Sequence, residues 1–199
     1  LKRMRRPERN RTIRDKVARI RDVVPDVAIR TTCIVGFPGE TDADFQTLLA
    51  LLEDVQFDRV GAFTDSPQEG TAAHALADDV PESVKQERLE RLTELQSAVT
   101  ADRFEHRIGR SVDAIVDRVS DDVIEARTIW QAHDIDGITR IRRDEATCAA
   151  GDLLRVRVQS VEDDVDLTAT VERVLSRAGA SPAPKRRALP LVTIGSYGG

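Results

Sequence analysis

The chain has 199 residues, 40% of them hydrophobic and 33% charged, with a formal net charge of -5. This length allows one large domain or two small ones, and the acidic balance argues against a protein that holds nucleic acid by bulk electrostatics. Cys33 and Cys148 lie too far apart in sequence for a disulfide framework or a paired zinc spacing. Without an apolar run of about 18 residues or a signal peptide, we expect a cytoplasmic location.

The first hundred residues alternate between helical and strand patterns. Apolar residues at three- and four-residue steps predict a helix over 9–24. A β-branched run over 27–35 predicts a strand buried on both faces, as in a parallel sheet. Thr41 and Asp44 have the spacing of a capping box and begin the next predicted helix.

A second strand over 57–64 and a long helix over 81–106 complete this part of the chain. The order is that of an α/β fold with parallel strands and helical crossovers. Two strands are too few for a stable sheet. We therefore expect further strands from upstream sequence, and the start at Leu1 favours a piece of a longer protein.

Five short β-like runs follow Gly109 at roughly ten-residue spacing. They predict a small antiparallel barrel. The chain then divides into an α/β part over 1–106, a barrel over 107–175 and a linker-like tail over 176–199.

The turn "VGFPGET" at the end of the first strand is the first candidate site. Ligands of α/β sheets bind beyond the carboxyl ends of the strands. Gly36 and Gly39 would let the backbone approach a ligand closely, and amides at the start of the following helix favour an anionic group, although a simple strand-to-helix turn is the more economical explanation. Arg30 and Thr32 lie within the same strand, where Arg30 either binds a carboxylate or phosphate or extends its head to solvent.

Two further segments are polar enough to meet a ligand. Arg5 and Arg6 stand before Pro7 in the basic stretch "LKRMRRPERNR", which could grip an anion but is more simply a solvated loop. The loop "FTDSPQEGTAA" follows the second strand, and its side chains also suit ordinary turns. Its candidate substrate residues are Ser66, Glu69 and Thr71, with Asp65 beside them.

The three histidines form no arrangement of base and nucleophile. They are His74, His106 and His133, and none has a cysteine or carboxylate at metal-ligand spacing. The sequence therefore assigns no catalytic residue and no metal ligand within this chain.

Seven motifs in order give the chain a resemblance to a known family. They are "LKRMRRP", "VPDVAIRTT", "IVGFPGET", "FDRVGAFTDSPQEGT", "VPESVKQERLERLTELQ", "HDIDGITRI" and "GDLLRVRV". Together they resemble the C-terminal part of the radical S-adenosylmethionine (SAM) methylthiotransferases over about residues 1–174. The last two resemble the appended TRAM domain, a small barrel of OB-like shape. The resemblance implies the last part of a radical SAM β/α barrel followed by that TRAM barrel.

The resemblance also implies an activity. Members of this kind cleave SAM with one 4Fe–4S cluster, carry a second 4Fe–4S cluster, need an electron donor and place a methylthio group on the β-carbon of a substrate aspartate. "FDRVGAF" and "IDGITRI" are most similar to members that modify small-subunit ribosomal protein twelve, which the TRAM domain would dock. The protein would be a monomer without membrane contact. The SAM-contact candidates carried over are Arg30, Thr32, Val35, Gly36 and Phe37.

Several departures from the family pattern leave alternatives open. Neither cluster-binding cysteine motif is present, so we expect this chain to be inactive alone. Asp65 replaces a usual tyrosine and Ala72 a usual proline, which puts the role of their loop in doubt. One alternative is a family member acting on transfer RNA, although acidic residues outnumber basic ones in the barrel region. The other is a non-catalytic protein-binding module that has lost its cluster domains.

Overall fold

A computed structural model describes residues 4, 6, 8–71, 73–76, 79–133, 135–163 and 165–179. Arg5, Pro7, Ala72 and the tail beyond residue 179 lie outside the described residues, and so do the expectations placed on them. Among the described residues, no helix is both long enough and apolar enough to cross a membrane.

The N-terminal part consists of three helices and two parallel strands. Its elements are α1 (Asn10–Val23), β1 (Arg30–Val35), α2 (Asp42–Val55), β2 (Arg59–Thr64) and α3 (Glu82–Glu105). The two strands pair in register from Arg30 opposite Arg59 to Val35 opposite Thr64. The helices pack together on one face of this pair, and Phe45, Leu52 and Leu92 lie in the core between them.

The turn from β1 into α2 forms as the sequence predicts. The Thr41 hydroxyl accepts a hydrogen bond from the amide of Asp44, whose carboxylate accepts one from the amide of Thr41. These two bonds satisfy amides that the first turn of a helix leaves without partners. The helix ends at Gln56, which adopts the left-handed conformation with φ 49° and bonds back to Leu52.

The C-terminal part is a closed five-stranded barrel. Its strands are β3 (Ser111–Val119), β4 (Val123–Thr128), β5 (Thr139–Arg142), β6 (Leu153–Glu162) and β7 (Asp166–Ser176). They close in the order β3-β4-β5-β7-β6. Alternate residues point inward, as two-residue periodicity requires, and Ile124, Ile141 and Leu154 fill the core.

The predicted fold class is confirmed, since an α/β part precedes a small all-β barrel. Within the barrel one detail differs, because β5 and β7 pair in parallel whereas the pattern predicted antiparallel pairing throughout. The exact division at residue 106 stays a prediction, and it falls between the end of α3 and the start of β3.

The prediction that the first strand is buried on both faces is wrong. Arg30, Thr32 and Ile34 are exposed, whereas Cys33 and Val35 on the other side contact the helical core. The described part of the chain supplies helices for only one side of the two-stranded sheet. The apolar run of β1 therefore identifies the strand but not how many of its faces this chain covers.

Candidate functional site

The side of the two-stranded sheet opposite the helices is a mixed polar and apolar surface, here called the open face. It consists of Arg30, Thr32 and Ile34 of β1 and their partners Arg59, Gly61 and Phe63 of β2. Ile34 is 44% exposed and Phe63 is 59% exposed, which is unusual for neighbouring large apolar side chains on a sheet. The open face is thus the surface of the α/β part best suited to receive a ligand.

Thr32 and Phe63 lie close to Gly61 in the middle of the open face. Gly61 has no side chain, and a β-carbon placed there would come within 3.4 Å of the Phe63 ring and 3.6 Å of the Thr32 hydroxyl. Thr32 therefore offers a hydroxyl and Phe63 an aromatic surface next to Gly61. Gly61 was not among the predicted site residues, because a single glycine in a strand is a weak signal.

The glycine turn at the carboxyl end of β1 is held by the protein's own carboxylates. The amide of Gly36 donates to Glu40 Oε1 at 3.1 Å, and the amide of Gly39 donates to Asp79 Oδ1 at 2.6 Å. Both glycines have positive φ, 75° and 78°. The amides of both turn glycines are therefore already paired in this structure.

A buried cation supports this turn from α3. Arg88 donates to Glu40 Oε1 at 2.9 Å and to Asp42 Oδ1 at 2.6 Å, and its side chain is buried. Lys85, one turn earlier on α3, is also buried and packs directly against Gly36. Positive charge thus lies behind the turn, on the helix side of the sheet.

The predicted cofactor residues are distributed along the whole of β1. Val35 is fully buried in the helical core, so its side chain does not reach the open face. Gly36 is buried as well, and Phe37 is half-buried. Arg30 stands at the opposite end of the strand, roughly 16 Å from Val35 at about 3.3 Å per residue.

Arg30 has a carboxylate partner that the sequence did not reveal. Its Nη1 donates to Asp136 Oδ1 at 2.8 Å, although the side chain remains about half exposed. Asp136 belongs to the loop between β4 and β5 of the barrel, 106 residues away in sequence. The carboxylate that Arg30 binds in this structure belongs to the protein itself, so its role in ligand binding stays a prediction.

A second carboxylate organises the same end of the sheet. Asp58 is 1% exposed and accepts from the amide of Ile29 at 2.7 Å and from Arg103 Nε at 3.0 Å. It also pairs with Arg107, whose guanidinium lies over the rings of Phe104 and Trp130. Burial lowers the pKa of Arg107 to about 10, so this arginine remains a cation at neutral pH.

The loop after β2 places its candidate residues at the surface. Ser66, Glu69 and Thr71 are all exposed. The hydroxyl of Thr71 donates to the carbonyl of Gln68 at 2.8 Å and accepts from the amide of His74, which is ordinary turn chemistry. The amide of Asp65 donates to the carbonyl of Val35 at 2.8 Å, which ties the start of this loop to the glycine turn.

Neither cysteine faces a shared site. Cys33 points towards the helical core, where burial raises the pKa of its thiol to about 11, and Cys148 is buried within the barrel. Among the described residues, no group of three or more histidine, cysteine or carboxylate side chains is arranged to hold a metal ion.

Comparison with known proteins supports a single assignment. Residues 108–171 match the TRAM domain family model. The chain is 40% identical over 171 residues to the ribosomal protein uS12 methylthiotransferase RimO of Mannheimia succiniciproducens, covering 85% of this chain and 38% of the relative. The RimO proteins of Nitrosomonas eutropha and Xanthomonas campestris are 43% and 44% identical, over 81% and 84% of this chain and 36% of each relative.

The chain therefore spans less than two fifths of the length of these relatives. The similarity and the TRAM match confirm the resemblance to the C-terminal part of the methylthiotransferases.

Proposed function

From this match to the RimO methylthiotransferases, we propose that the chain is the C-terminal part of an enzyme that places a methylthio group on an aspartate β-carbon of small-subunit ribosomal protein twelve. The observation that supports the proposal is identity of 40% or more to RimO proteins over more than four fifths of the chain. Modification of a ribosomal protein is consistent with the cytoplasmic location expected from the sequence.

SAM is the cofactor that the residues present can accommodate. The open face offers the Thr32 hydroxyl and the exposed Phe63 ring, close to the side-chain-free Gly61. Aromatic and apolar walls with a few placed polar groups are typical of cofactor sites. When bound, SAM would supply the methyl group and the radical chemistry of the reaction. The role of this chain is to bind and orient SAM and to exclude water from it.

The five proposed SAM contacts differ in what they can contribute. Thr32 meets the ligand through its side chain, whereas Val35 and Gly36 are buried and have only backbone to offer. Phe37 follows at the turn. A ligand that contacts both Arg30 and this turn must extend along the whole length of β1, roughly 16 Å.

The iron–sulfur clusters do not fit the residues of this chain. Such clusters are held by sets of cysteine thiolates, and the sequence has only Cys33 in β1 and Cys148 in the barrel region. We therefore assign no cluster ligand here and derive no step through a cluster. Both clusters and the contact with the electron donor would require residues outside this chain.

The proposed substrate is a protein, with transfer RNA as the alternative. The relatives' names give ribosomal protein uS12 as their substrate. The excess of acidic over basic residues in the barrel region also suits a basic ribosomal protein better than a phosphate backbone. The TRAM barrel would make this contact, and Ser66, Glu69 and Thr71 are the proposed substrate-loop residues.

The test compares substitutions on the two sides of β1 in the full-length enzyme. Thr32→Val removes a hydroxyl from the open face, and Thr31→Val makes the same change on the helix side. We expect Thr32→Val to weaken SAM binding roughly fivefold, since a hydrogen bond contributes about 1 kcal/mol, and Thr31→Val to leave it unchanged. Calorimetry measures the affinity, and equal affinities for the two variants would remove Thr32 from the site.

The activity is tested by mass spectrometry of both substrates. The full-length enzyme, loaded with its clusters and supplied with SAM and reductant, is offered ribosomal protein twelve or transfer RNA. We expect replacement of one hydrogen by a methylthio group in the protein alone. Modification of the RNA alone would establish the alternative, and modification of neither would leave only a binding module.

A further inference from the structure

We propose that Asp136 is a positioning residue that fixes the orientation of the barrel on the amino ends of β1 and β2. This inference does not depend on the proposed function, because it concerns only how the two parts of the chain are held together. It assigns a role to a residue of the "IDGITRI" motif that was not among the predicted site residues.

Asp136 contacts both strands of the sheet at the same level. Its Oδ1 accepts from Arg30 Nη1 at 2.8 Å and lies 3.4 Å from Arg59 Nε, while its carbonyl oxygen accepts from Arg59 Nη2 at 3.1 Å. Arg30 and Arg59 are direct partners in the sheet register. One carboxylate of the barrel therefore bridges the first residues of both strands.

The same carboxylate also holds its own loop. Oδ2 of Asp136 accepts from the amide of Ala132 at 3.2 Å, and the Asp136 amide donates back to the carbonyl of Ala132 at 3.3 Å. The side chain is only 9% exposed, so these bonds are formed largely out of water. Asp136 is thus fixed on the barrel and bonded to the sheet at once, which is the arrangement that a rigid attachment requires.

Further contacts reinforce the attachment at this end of the molecule. Trp130, in the same barrel loop, donates from Nε1 to the carbonyl of Asp26 at 3.2 Å. Arg110, just before β3, pairs with the carboxylate of Asp26, and Arg107 pairs with Asp58. The barrel is thereby linked to the segment before β1, to the start of β2 and to the end of α3.

A fixed attachment at the amino ends has a geometric consequence. The glycine turn lies at the carboxyl end of β1, so the length of the strand, roughly 16 Å, separates it from the docking contacts. Anything held on the barrel surface is consequently kept at a constant position relative to the open face. Loss of Asp136 would release that constraint without altering a residue of the turn.

The experiment is amide hydrogen exchange with mass spectrometry on the protein expressed from its complete gene. Asp136→Asn removes the negative charge on the barrel side, and Arg30→Gln removes one of the two positive charges on the sheet side. The control is Asp144→Asn, which breaks an exposed pair with Arg142 that lies within the barrel alone. The peptides to follow cover residues 26–31 before and in β1, and 129–138 in the barrel loop.

We expect reciprocal effects in the two docking variants. Asp136→Asn should accelerate exchange in 26–31 about tenfold or more, because a buried carboxylate–arginine contact is lost. Arg30→Gln should accelerate exchange in 129–138 on the other part of the chain, and the Asp144→Asn control should change neither peptide.

Comparing the two variants distinguishes a docking role of Asp136 from a role confined to its own loop. If Asp136 only shaped its own loop, Arg30→Gln would leave 129–138 unchanged, and that result overturns the proposal. Unchanged exchange of 26–31 in Asp136→Asn overturns it equally. Should Asp136→Asn fail to fold, Arg30→Gln decides alone, since Arg30 is half exposed and its replacement removes the shortest contact of Asp136 with the sheet while the bond to Ala132 keeps the loop intact.

Discussion

Gly36 must be a glycine for two independent reasons, its backbone conformation and its close packing against α3. The backbone has a φ of 75°, a conformation that costs a residue with a β-carbon roughly 1–2 kcal/mol. A β-carbon there would also overlap with Cγ of Lys85, which is buried on α3. The turn between β1 and α2 therefore depends on glycine for its shape and for the approach of α3.

Gly36→Ala should destabilise the protein by roughly 3 kcal/mol. About 1 kcal/mol of this comes from the backbone conformation, and the remainder from overpacking against Lys85. Urea unfolding followed by circular dichroism measures the change.

Gly70→Ala is the matched control for this prediction. Its φ is 80°, and within the described part of the chain no heavy atom lies within 4 Å of the added carbon, so it reports the backbone cost alone. Equal losses in the two variants would show that Lys85 moves aside freely and that packing contributes nothing at Gly36.

The partner of Arg30 shows why single residues are the hardest part to predict. Its position in β1 followed from the local pattern, and so did its need for an anion. The identity of that anion did not, because Asp136 is 106 residues away and its motif "IDGITRI" does not show which segment it contacts. Only the closure of the barrel brings the two together.

Among the elements, α3 departs most from its sequence pattern. Its apolar residues predicted a face formed by Val84, Leu89, Leu92, Leu95 and Val99. Leu92 and Val99 are buried and the other three are half-buried, but the buried set also includes Lys85, Arg88, Gln96 and Thr100 between them.

The partners of these buried polar side chains come from other elements. Gln96 donates to the carbonyl of Phe57 at 3.0 Å, and Thr100 donates to that of Asp58 at 3.2 Å. Periodicity predicted the length of α3 to within about a turn because length is a local property. It did not predict the buried polar face, since buried polar groups are tolerated only where distant partners satisfy them.

The start of α2 allows a local prediction. Thr41→Ala removes the hydroxyl that accepts from the amide of Asp44, and we expect a loss of about 1 kcal/mol in the free energy of unfolding. The Thr41 hydroxyl also lowers the pKa of Asp44, so titration of that carboxylate should shift upward in the variant. Thermal unfolding and carboxylate NMR measure the two effects.

Thr47→Ala serves as the control on the same helix. Its exposed hydroxyl donates to the carbonyl of Ala43 at 2.7 Å, one turn back, and caps nothing. Because alanine favours a helix interior over threonine, we expect no loss of stability there. A similar loss in both variants would indicate that removal of any threonine hydroxyl on this helix, rather than loss of the cap, explains the effect at Thr41.

At the scale of the whole molecule, the two parts differ in how completely they bury their surfaces. Every strand of the barrel is paired on both sides, and its core is continuous. The α/β part has two strands, one of whose faces exposes Ile34 and Phe63. Sequence patterns predicted both architectures. They did not predict the contact between the two parts, because Asp58 and Asp136 form ion pairs with arginines from distant segments of the chain.

This asymmetry predicts the order of unfolding of the 199-residue chain. Trp130 is the single tryptophan; it is 4% exposed and donates to the carbonyl of Asp26, so its fluorescence reports contact between the two parts. An incomplete sheet is the less stable unit, so we expect the α/β part to unfold first. The fluorescence should therefore shift to longer wavelength at a lower urea concentration than the one at which the barrel amides lose their slow exchange. Val112 and Ile124 amides are suitable reporters of the barrel. Coincident midpoints, or slow exchange throughout both β1 and β2, would contradict this order and show that the docked parts unfold as one cooperative unit.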